Sequence, residues 1–133
     1  MTHHELAERF IAFLETNTPP AGLFADDVFL DASYPQWRLQ ASGVEDAVAI
    51  RRGGHPCTGS VPRHRLDLTE RGWVLELEER WTDDQGAPWY CRELFRADVN
   101  ADGLVSQLTV YCTGDWDQAQ VERHAREVQL LVA

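Results

Sequence analysis

An imidazole and a carboxyl group fall on the apolar sides of two successive strand-like runs, where they could form an acid–base pair. Residues 61–70 and 73–82 both alternate with a period of two, and His64 and Glu79 lie among their apolar positions. A two-residue turn at Arg71-Gly72 would join the apolar faces and place His64 opposite Glu79. A carboxylate that orients an imidazole favours proton abstraction near neutral pH. A structural ion pair at the sheet end is the alternative.

Two further acids stand where they could take part in the same chemistry. Glu93 shares the apolar side of the run 88–98, and burial would raise its pKa and make it a candidate general acid. An Arg or Tyr from a helix could instead neutralise it. Asp115 follows the last strand-like run and is a candidate base, although capping of a helix N-terminus alone explains an Asp at this place and is the favoured interpretation.

Three aromatic residues are candidates for the wall of a ligand pocket. Tyr34 and Trp37 flank the turn of a predicted hairpin, and Trp116 follows the last strand. Aromatic rings offer a flat apolar surface with a polar edge, which suits flat hydrophobic ligands. The sequence therefore predicts that these side chains line the mouth of a pocket.

Cys91 and Tyr111 are further candidates for contact with a ligand, but the register of the last strand is open. By alternation Cys91 shares the face of Glu93. Slipping the last strand by one residue exchanges Tyr111 for Cys112 on the pocket face, because neighbouring residues point to opposite sides.

No metal or organic cofactor is expected. His55, Cys57 and His64 do not have the spacing of a recognised zinc motif. The segment 98–103 resembles the start of a calcium loop, but Thr109 stands where the closing Glu is needed. A tight hairpin turn explains that segment without an ion.

Composition excludes several classes of function. The 133 residues carry a formal charge of −10, which disfavours nucleic acids and anionic membranes as partners. The chain has no Lys, so Schiff-base chemistry is excluded. Three cysteines without a CxxC pair, and an N-terminus without an apolar run, predict a cytoplasmic location. The length predicts one domain spanning 1–133.

The order of predicted elements is that of an α+β domain. Two capping boxes, Thr2–Glu5 and Ser42–Glu45, predict the first and second helices. Apolar periodicity then predicts a small hairpin between these helices, a four-stranded antiparallel meander and a last helix. The predicted elements are helix 2–17, strands 28–30 and 37–40, helix 44–52, strands 61–70, 73–82, 88–98 and 104–113, and a helix from about 117.

This order resembles the nuclear transport factor 2-like superfamily, which includes ketosteroid isomerases and SnoaL-like polyketide cyclases. The segments that carry the resemblance are Leu23–Val28, Gly43–Ala47, Asp102–Val105 and Val110–Trp116. The resemblance implies a cone in which a curved antiparallel sheet wraps around helices and encloses a pocket. It also implies homodimers through the outer sheet face and cofactor-free chemistry on small hydrophobic molecules.

The catalytic positions of these relatives match the chain poorly. In ketosteroid isomerases a base Asp would align with Ala32, one residue after Asp31, and Phe10 or Phe13 stands where a Tyr is expected. Asp115 lies slightly beyond the place of the cyclase base. The resemblance thus favours a cofactor-independent cyclase or isomerase that acts on a small hydrophobic substrate. A ligand-binding protein without turnover and a dimeric interaction module are the alternatives.

Overall fold

The computed structural model describes residues 1–132 and contains three helices and one seven-stranded sheet. No helix in this part of the chain is long and apolar enough to cross a membrane. The elements are α1 His3–Thr16, β1 Phe24–Tyr34, β2 Trp37–Ser42, α2 Val44–Gly54, β3 Gly59–Leu68, β4 Gly72–Thr82, β5 Pro88–Val99, β6 Val105–Cys112, β7 Trp116–Asp117 and α3 Gln118–Glu127. This architecture confirms the predicted α+β cone fold.

The strands lie in the order β2-β1-β6-β5-β4-β3, and β7 pairs with β5. All pairs are antiparallel except β1 with β6. The parallel pair is possible because α2 and four strands separate β1 from β6 along the chain, and a crossover between parallel strands needs a long connection. The predicted meander is therefore β3 to β6, and the parallel contact joins it to the hairpin.

The two predicted capping boxes have different outcomes. The Thr2 hydroxyl accepts a hydrogen bond from the Glu5 N–H at 3.1 Å, and the Glu5 carboxylate accepts one from the Thr2 N–H at 2.8 Å. The box predicted for the second helix is wrong, because Gly43 is the N-cap and no side chain caps α2. Gly43 has a φ of 96°. A residue with a side chain, such as the predicted cap Ser42, would adopt this conformation at the N-cap position only at a cost.

The core lies between the inner face of the sheet and α1. Phe10 of α1 is completely buried and packs edge-on against Phe95 of β5, with ring centroids 4.9 Å apart. Phe13 meets Phe24 in the same way at 5.4 Å. These rings fill the interior of the cone and leave a cavity of only about 30 Å³.

Candidate functional site

The polar centre of the protein is built on three neighbouring strands. Glu79 of β4 lies opposite Cys91 of β5, and Glu93 of β5 lies opposite Cys112 of β6. Strand alternation turns all four side chains to the inner face. Glu79, Cys91 and Glu93 are buried, and Cys112 is half-buried.

Two residues of the second helix and its C-cap complete this centre. Arg51 and His55 are four residues apart, which places them on one side of a helix end. Arg51 lies on the same face as the buried Ala47 and Val48, so its guanidinium points into the protein. Asn17 fixes the His55 backbone, because its side-chain amide donates to the His55 carbonyl at 2.6 Å.

Arg51 is held by a two-point contact with Glu79. Its Nη1 and Nη2 donate to the two carboxylate oxygens at 2.8 and 2.5 Å, and Nη2 also donates to the Leu14 carbonyl at 3.0 Å. Glu93 is the second acid beside Arg51, with Oε1 at 3.8 Å from Nη1. One cation therefore faces two buried carboxyl groups.

The two acids respond to this arrangement in opposite directions. Burial alone would raise the pKa of Glu79, but the hydrogen bonds from Arg51 outweigh burial and lower that pKa to about 2. Burial raises the pKa of Glu93 well above its ordinary value, and the adjacent negative Glu79 raises it further. Arg51 and Glu79 therefore form the ionised pair, and Glu93 is the neutral acid.

A second and more open pocket lies beyond this centre, and we call it the mouth pocket. Its volume is about 500 Å³, against about 30 Å³ for the interior cavity. The mouth pocket is lined by Tyr34, Pro35, Trp37, Leu39, Ile50, Gly53, Gly54, His55, Gly114 and Asp115. Its walls are thus mainly aromatic and aliphatic, with one imidazole and one carboxyl group.

His55 and Asp115 are the ionisable groups of the mouth pocket that lie close together. His55 Nε2 is 3.6 Å from Asp115 Oδ1, and the imidazole also packs edge-on against Trp81 with centroids 4.7 Å apart. Partial burial raises the pKa of Asp115. His55 Nδ1 is buried and has no hydrogen-bond partner among residues 1–132.

Gly114 sets the position of Asp115. It has a φ of 85°, and a Cβ at this residue would lie 2.8 Å from Cγ of Pro35. Any side chain would therefore clash with Pro35 and strain the backbone. The Gly114 N–H also points at Cys112 Sγ, at 3.4 Å.

The predicted pair of His64 and Glu79 is wrong. His64 lies opposite Leu77 and Glu79 pairs with Arg51, because four residues, 69–72, separate the paired Leu68 and Trp73 instead of the two residues of the predicted turn. Thr69 closes this connection, since its N–H donates to the Gly72 carbonyl and its hydroxyl accepts from the Gly72 N–H. The shift of two residues preserves the faces and changes the partners. His64 is exposed on an edge strand.

The other sequence candidates fall in three places. Tyr34, Trp37 and Asp115 line the mouth pocket, while Glu93 and Cys91 lie in the buried centre. Asp115 does not cap α3, because Asp117 does. The remaining candidates, Trp116 and Tyr111, point outward.

Strand pairing explains why these two aromatic residues leave the pocket. Trp116 pairs with Tyr90, which lies on the outer face of β5, and its ring packs on Tyr90 with centroids 5.6 Å apart. Tyr111 is 60% exposed, whereas its neighbour Val110 is buried. The register of β6 that the sequence left open is therefore the one in which Val110 faces the interior and Tyr111 faces outward. Asp31 also faces away from the interior, and Arg38 binds its carboxylate at 2.7 and 2.9 Å.

Sequence reasoning missed Arg51, and it considered His55 only as a possible zinc ligand. A signal for Arg51 was present, because a charged residue on the apolar stripe of a short helix needs a buried partner of opposite charge. No comparable signal predicted that His55 lies beside Asp115, because this contact joins two distant segments of the chain.

Comparisons with known proteins support the fold. No protein-family model matches the chain, and no curated protein matches it. A structure of a nuclear transport factor 2-like protein of unknown function from Burkholderia xenovorans is 17% identical, with a TM-score of 0.62 over 98% of this chain and 95% of the other. The chain therefore has the nuclear transport factor 2-like fold.

Two similar structures have names that indicate chemistry. A putative polyketide cyclase from Pseudomonas putida is 17% identical, with a TM-score of 0.65 over 91% of this chain and 96% of the other. The epoxide hydrolase/cyclase-like enzyme SalBIII, described in pyran ring formation in the polyether salinomycin, is 10% identical, with a TM-score of 0.68 over 86% and 95%. At these identities the likeness concerns the fold.

Proposed function

We propose that the protein binds a small, flat, largely apolar molecule in the mouth pocket. The observation that carries the proposal is the contrast in size between the mouth pocket, about 500 Å³, and the interior cavity, about 30 Å³. The interior cavity holds about one water molecule, whereas ligand pockets usually measure roughly 300–1,000 Å³. The ligand would therefore lie above the filled core.

The lining of the mouth pocket defines the chemistry of this ligand. Trp37 is 71% exposed and, with Leu39 and Ile50, offers a surface on which a ring system can stack. His55 and Asp115 supply the polar groups at one place in this lining. A ligand with one or two fused rings and a single hydroxyl or carbonyl group matches both features.

The outer face has a larger groove that suits such a ligand less well. This groove measures about 780 Å³ and runs between the sheet and α3. Many of its polar groups already bind each other, as Tyr90 Oη donates to Glu78 at 3.0 Å and Arg92 binds Glu76 at 3.5 Å. A flat apolar molecule would have to displace these contacts or leave them unsatisfied.

An NMR titration with 2-naphthol tests the proposal. The experiment uses ¹⁵N-labelled protein in EDTA, and we expect the largest shifts at the Trp37 indole and at the amides of Gly53 and Gly114. Trp37→Ala should weaken binding about tenfold, since truncation of a central aromatic costs more than 1 kcal/mol. Trp116→Ala is the matched control and should bind like the unmodified protein. Shifts confined to Trp116 and α3 would contradict the proposal.

Turnover of the bound molecule is a second candidate function, of the isomerase or cyclase type. The observation that favours it is that Asp115 lines the mouth pocket beside His55, within reach of a ligand's polar end. Glu79 and Glu93 are both 4% exposed and do not line this pocket. Exchange of the α-protons of 2-tetralone in D₂O tests it. Catalysed exchange that Asp115→Asn abolishes would support turnover, and binding without exchange would leave a binding protein.

We also propose that two copies associate through the outer sheet face. Leu94 of β5 and Tyr111 of β6 are paired neighbours there and are 40% and 60% exposed. Exposed apolar residues on adjacent strands suit a twofold contact. Light scattering should give the mass of a dimer, and Tyr111→Arg should give a monomer. A monomeric unmodified protein would contradict this proposal.

A further inference from the structure

Four residues from separate parts of the fold bring metal-ligating atoms together. His55 follows α2, Cys91 lies in β5, Cys112 ends β6, and Asp115 lies in the loop after β6. We call them the four-ligand cluster. One ligand atom from each lies within 4.8 Å of every other, and the distance from His55 Nε2 to Asp115 Oδ1 is 3.6 Å.

We propose that the four-ligand cluster binds a divalent transition-metal ion of the zinc class. Two thiolates, one imidazole and one carboxylate form the mixed donor set that zinc accepts in tetrahedral sites. In such a site neighbouring ligand atoms are about 3.3–3.8 Å apart, given the usual zinc–ligand bond lengths. The ligand atoms of the cluster therefore need to approach each other by at most about 1.5 Å to reach this geometry.

Strand register favours a metal ion over a disulfide between the two cysteines. Cys112 lies directly opposite Glu93, so Cys91, two residues earlier on β5, is its diagonal neighbour. Diagonal positions are about 7–8 Å apart, whereas a disulfide needs Cα atoms closer than about 7 Å. A metal ion placed between the sulfurs spans this diagonal without moving the strands.

A competing set of ligands shares two members with the cluster but is less suitable. His55, Glu79, Cys91 and Glu93 also place ligand atoms within 4.8 Å of one another. In that set, however, Glu79 already holds Arg51 through two hydrogen bonds. A metal ion there would leave the buried guanidinium without its partner, which costs several kcal/mol.

The site has an entry path and does not depend on the proposed ligand. His55 and Asp115 line the mouth pocket, so an ion can reach them from solvent while Cys91 stays buried. Bound metal would engage Asp115 and remove it from acid–base chemistry. Because the naphthol titration is done in EDTA, failure of metal binding and failure of ligand binding are separate results.

Metal binding is tested on the full chain, reduced and stripped with EDTA. After dialysis against Zn²⁺ we expect one zinc per chain by elemental analysis. With Co²⁺ we expect a sulfur-to-cobalt charge-transfer band and the intense visible absorption of tetrahedral cobalt. Cys112→Ser should remove the charge-transfer contribution of one thiolate and weaken zinc affinity at least tenfold. Circular dichroism checks its folding, and Asp115→Ala is the second variant, which should keep the band and bind more weakly.

Two control variants separate this site from others. Cys57→Ser changes a half-buried cysteine outside the cluster and should bind like the unmodified protein. His4→Ala tests adventitious binding at the neighbouring His3 and His4, of which His4 is exposed and His3 half-buried. The proposal is overturned by an absence of stoichiometric zinc, by zinc affinity that is unchanged in Cys112→Ser, by loss of binding in His4→Ala, or by a Cys91–Cys112 disulfide in the purified protein.

Discussion

The interior of the cone and its mouth use polar groups in different ways. In the interior, two nitrogens of Arg51 bind Glu79 within a filled apolar core, and the remaining cavity holds about one water. At the mouth, His55 and Asp115 line a pocket of about 500 Å³ and lie 3.6 Å apart. Buried polar groups that bind each other are not available to a ligand. Groups that face an open pocket are available to a ligand.

The difference matters because the two regions adjoin. Tyr34 lines both the interior cavity and the mouth pocket, and Arg51 is only one helical turn from His55. A substitution in the interior should therefore change stability, and one at the mouth should change binding. An interior substitution that changes only binding, or a mouth substitution that changes only stability, would contradict this distinction between the two regions.

The largest expected effect on stability is that of Arg51→Met. It leaves Glu79 buried without its cation, so the free energy of unfolding should fall by about 3–5 kcal/mol. Urea denaturation followed by Trp fluorescence measures it. Arg38→Met is the matched control, because Arg38 binds Asp31 at the surface, and its midpoint should not change. Arg51→Met with Glu79→Met should recover part of the loss, and no recovery would show that charge pairing is not the cause.

A nearly equal loss is expected for Phe10→Ala. Phe10 is completely buried among aromatic rings, so truncation should cost about 3–5 kcal/mol through lost contacts and the new void. Trp37→Ala should change stability by less than about 0.5 kcal/mol while weakening naphthol binding. The same urea experiment serves both variants. Destabilisation by Trp37→Ala as large as that by Phe10→Ala would make Trp37 a core residue.

The ion pair also predicts a pH dependence. The pKa of Glu79 is lowered from 4.5 to about 2, so its contribution to stability is complete above pH 4.5 and is lost as pH falls toward 2. The stability difference between the unmodified protein and Glu79→Gln should therefore narrow between pH 5 and pH 2. Urea midpoints across this range measure it. A stability difference that stays constant from pH 5 to pH 2 would mean that the pKa of Glu79 is not lowered in the folded protein.

A smaller loss of stability than that of the interior variants is expected at the surface, for Thr2→Ala. It removes the capping hydroxyl of α1 and should cost about 1 kcal/mol. Thr18→Ala, an exposed Thr after the same helix, should cost less and is the control. Comparison of this loss with that of Arg51→Met shows how much more a buried polar contact contributes to the free energy of unfolding than an exposed one. Equal losses would remove the distinction between buried and exposed polar contacts.

Most of the fold could be predicted from local patterns in the sequence. Alternation assigned Glu79, Cys91 and Glu93 to one face, because that assignment depends only on strand parity. It did not identify partners, since a four-residue connection preserves parity while moving His64 away from Glu79. The contact of His55 with Asp115 and the packing of Phe10 against Phe95 were equally out of reach. Both depend on contacts between distant segments, and these contacts decide that the open pocket lies at the mouth.

Intermolecular NOEs between 2-naphthol and the protein show which side chains surround the bound ligand. If the mouth pocket binds the ligand, the naphthol ring protons will show NOEs to the side chains of Trp37 and Ile50. NOEs to Phe10 or Phe95 instead would place the ligand in the interior and contradict binding in the mouth pocket.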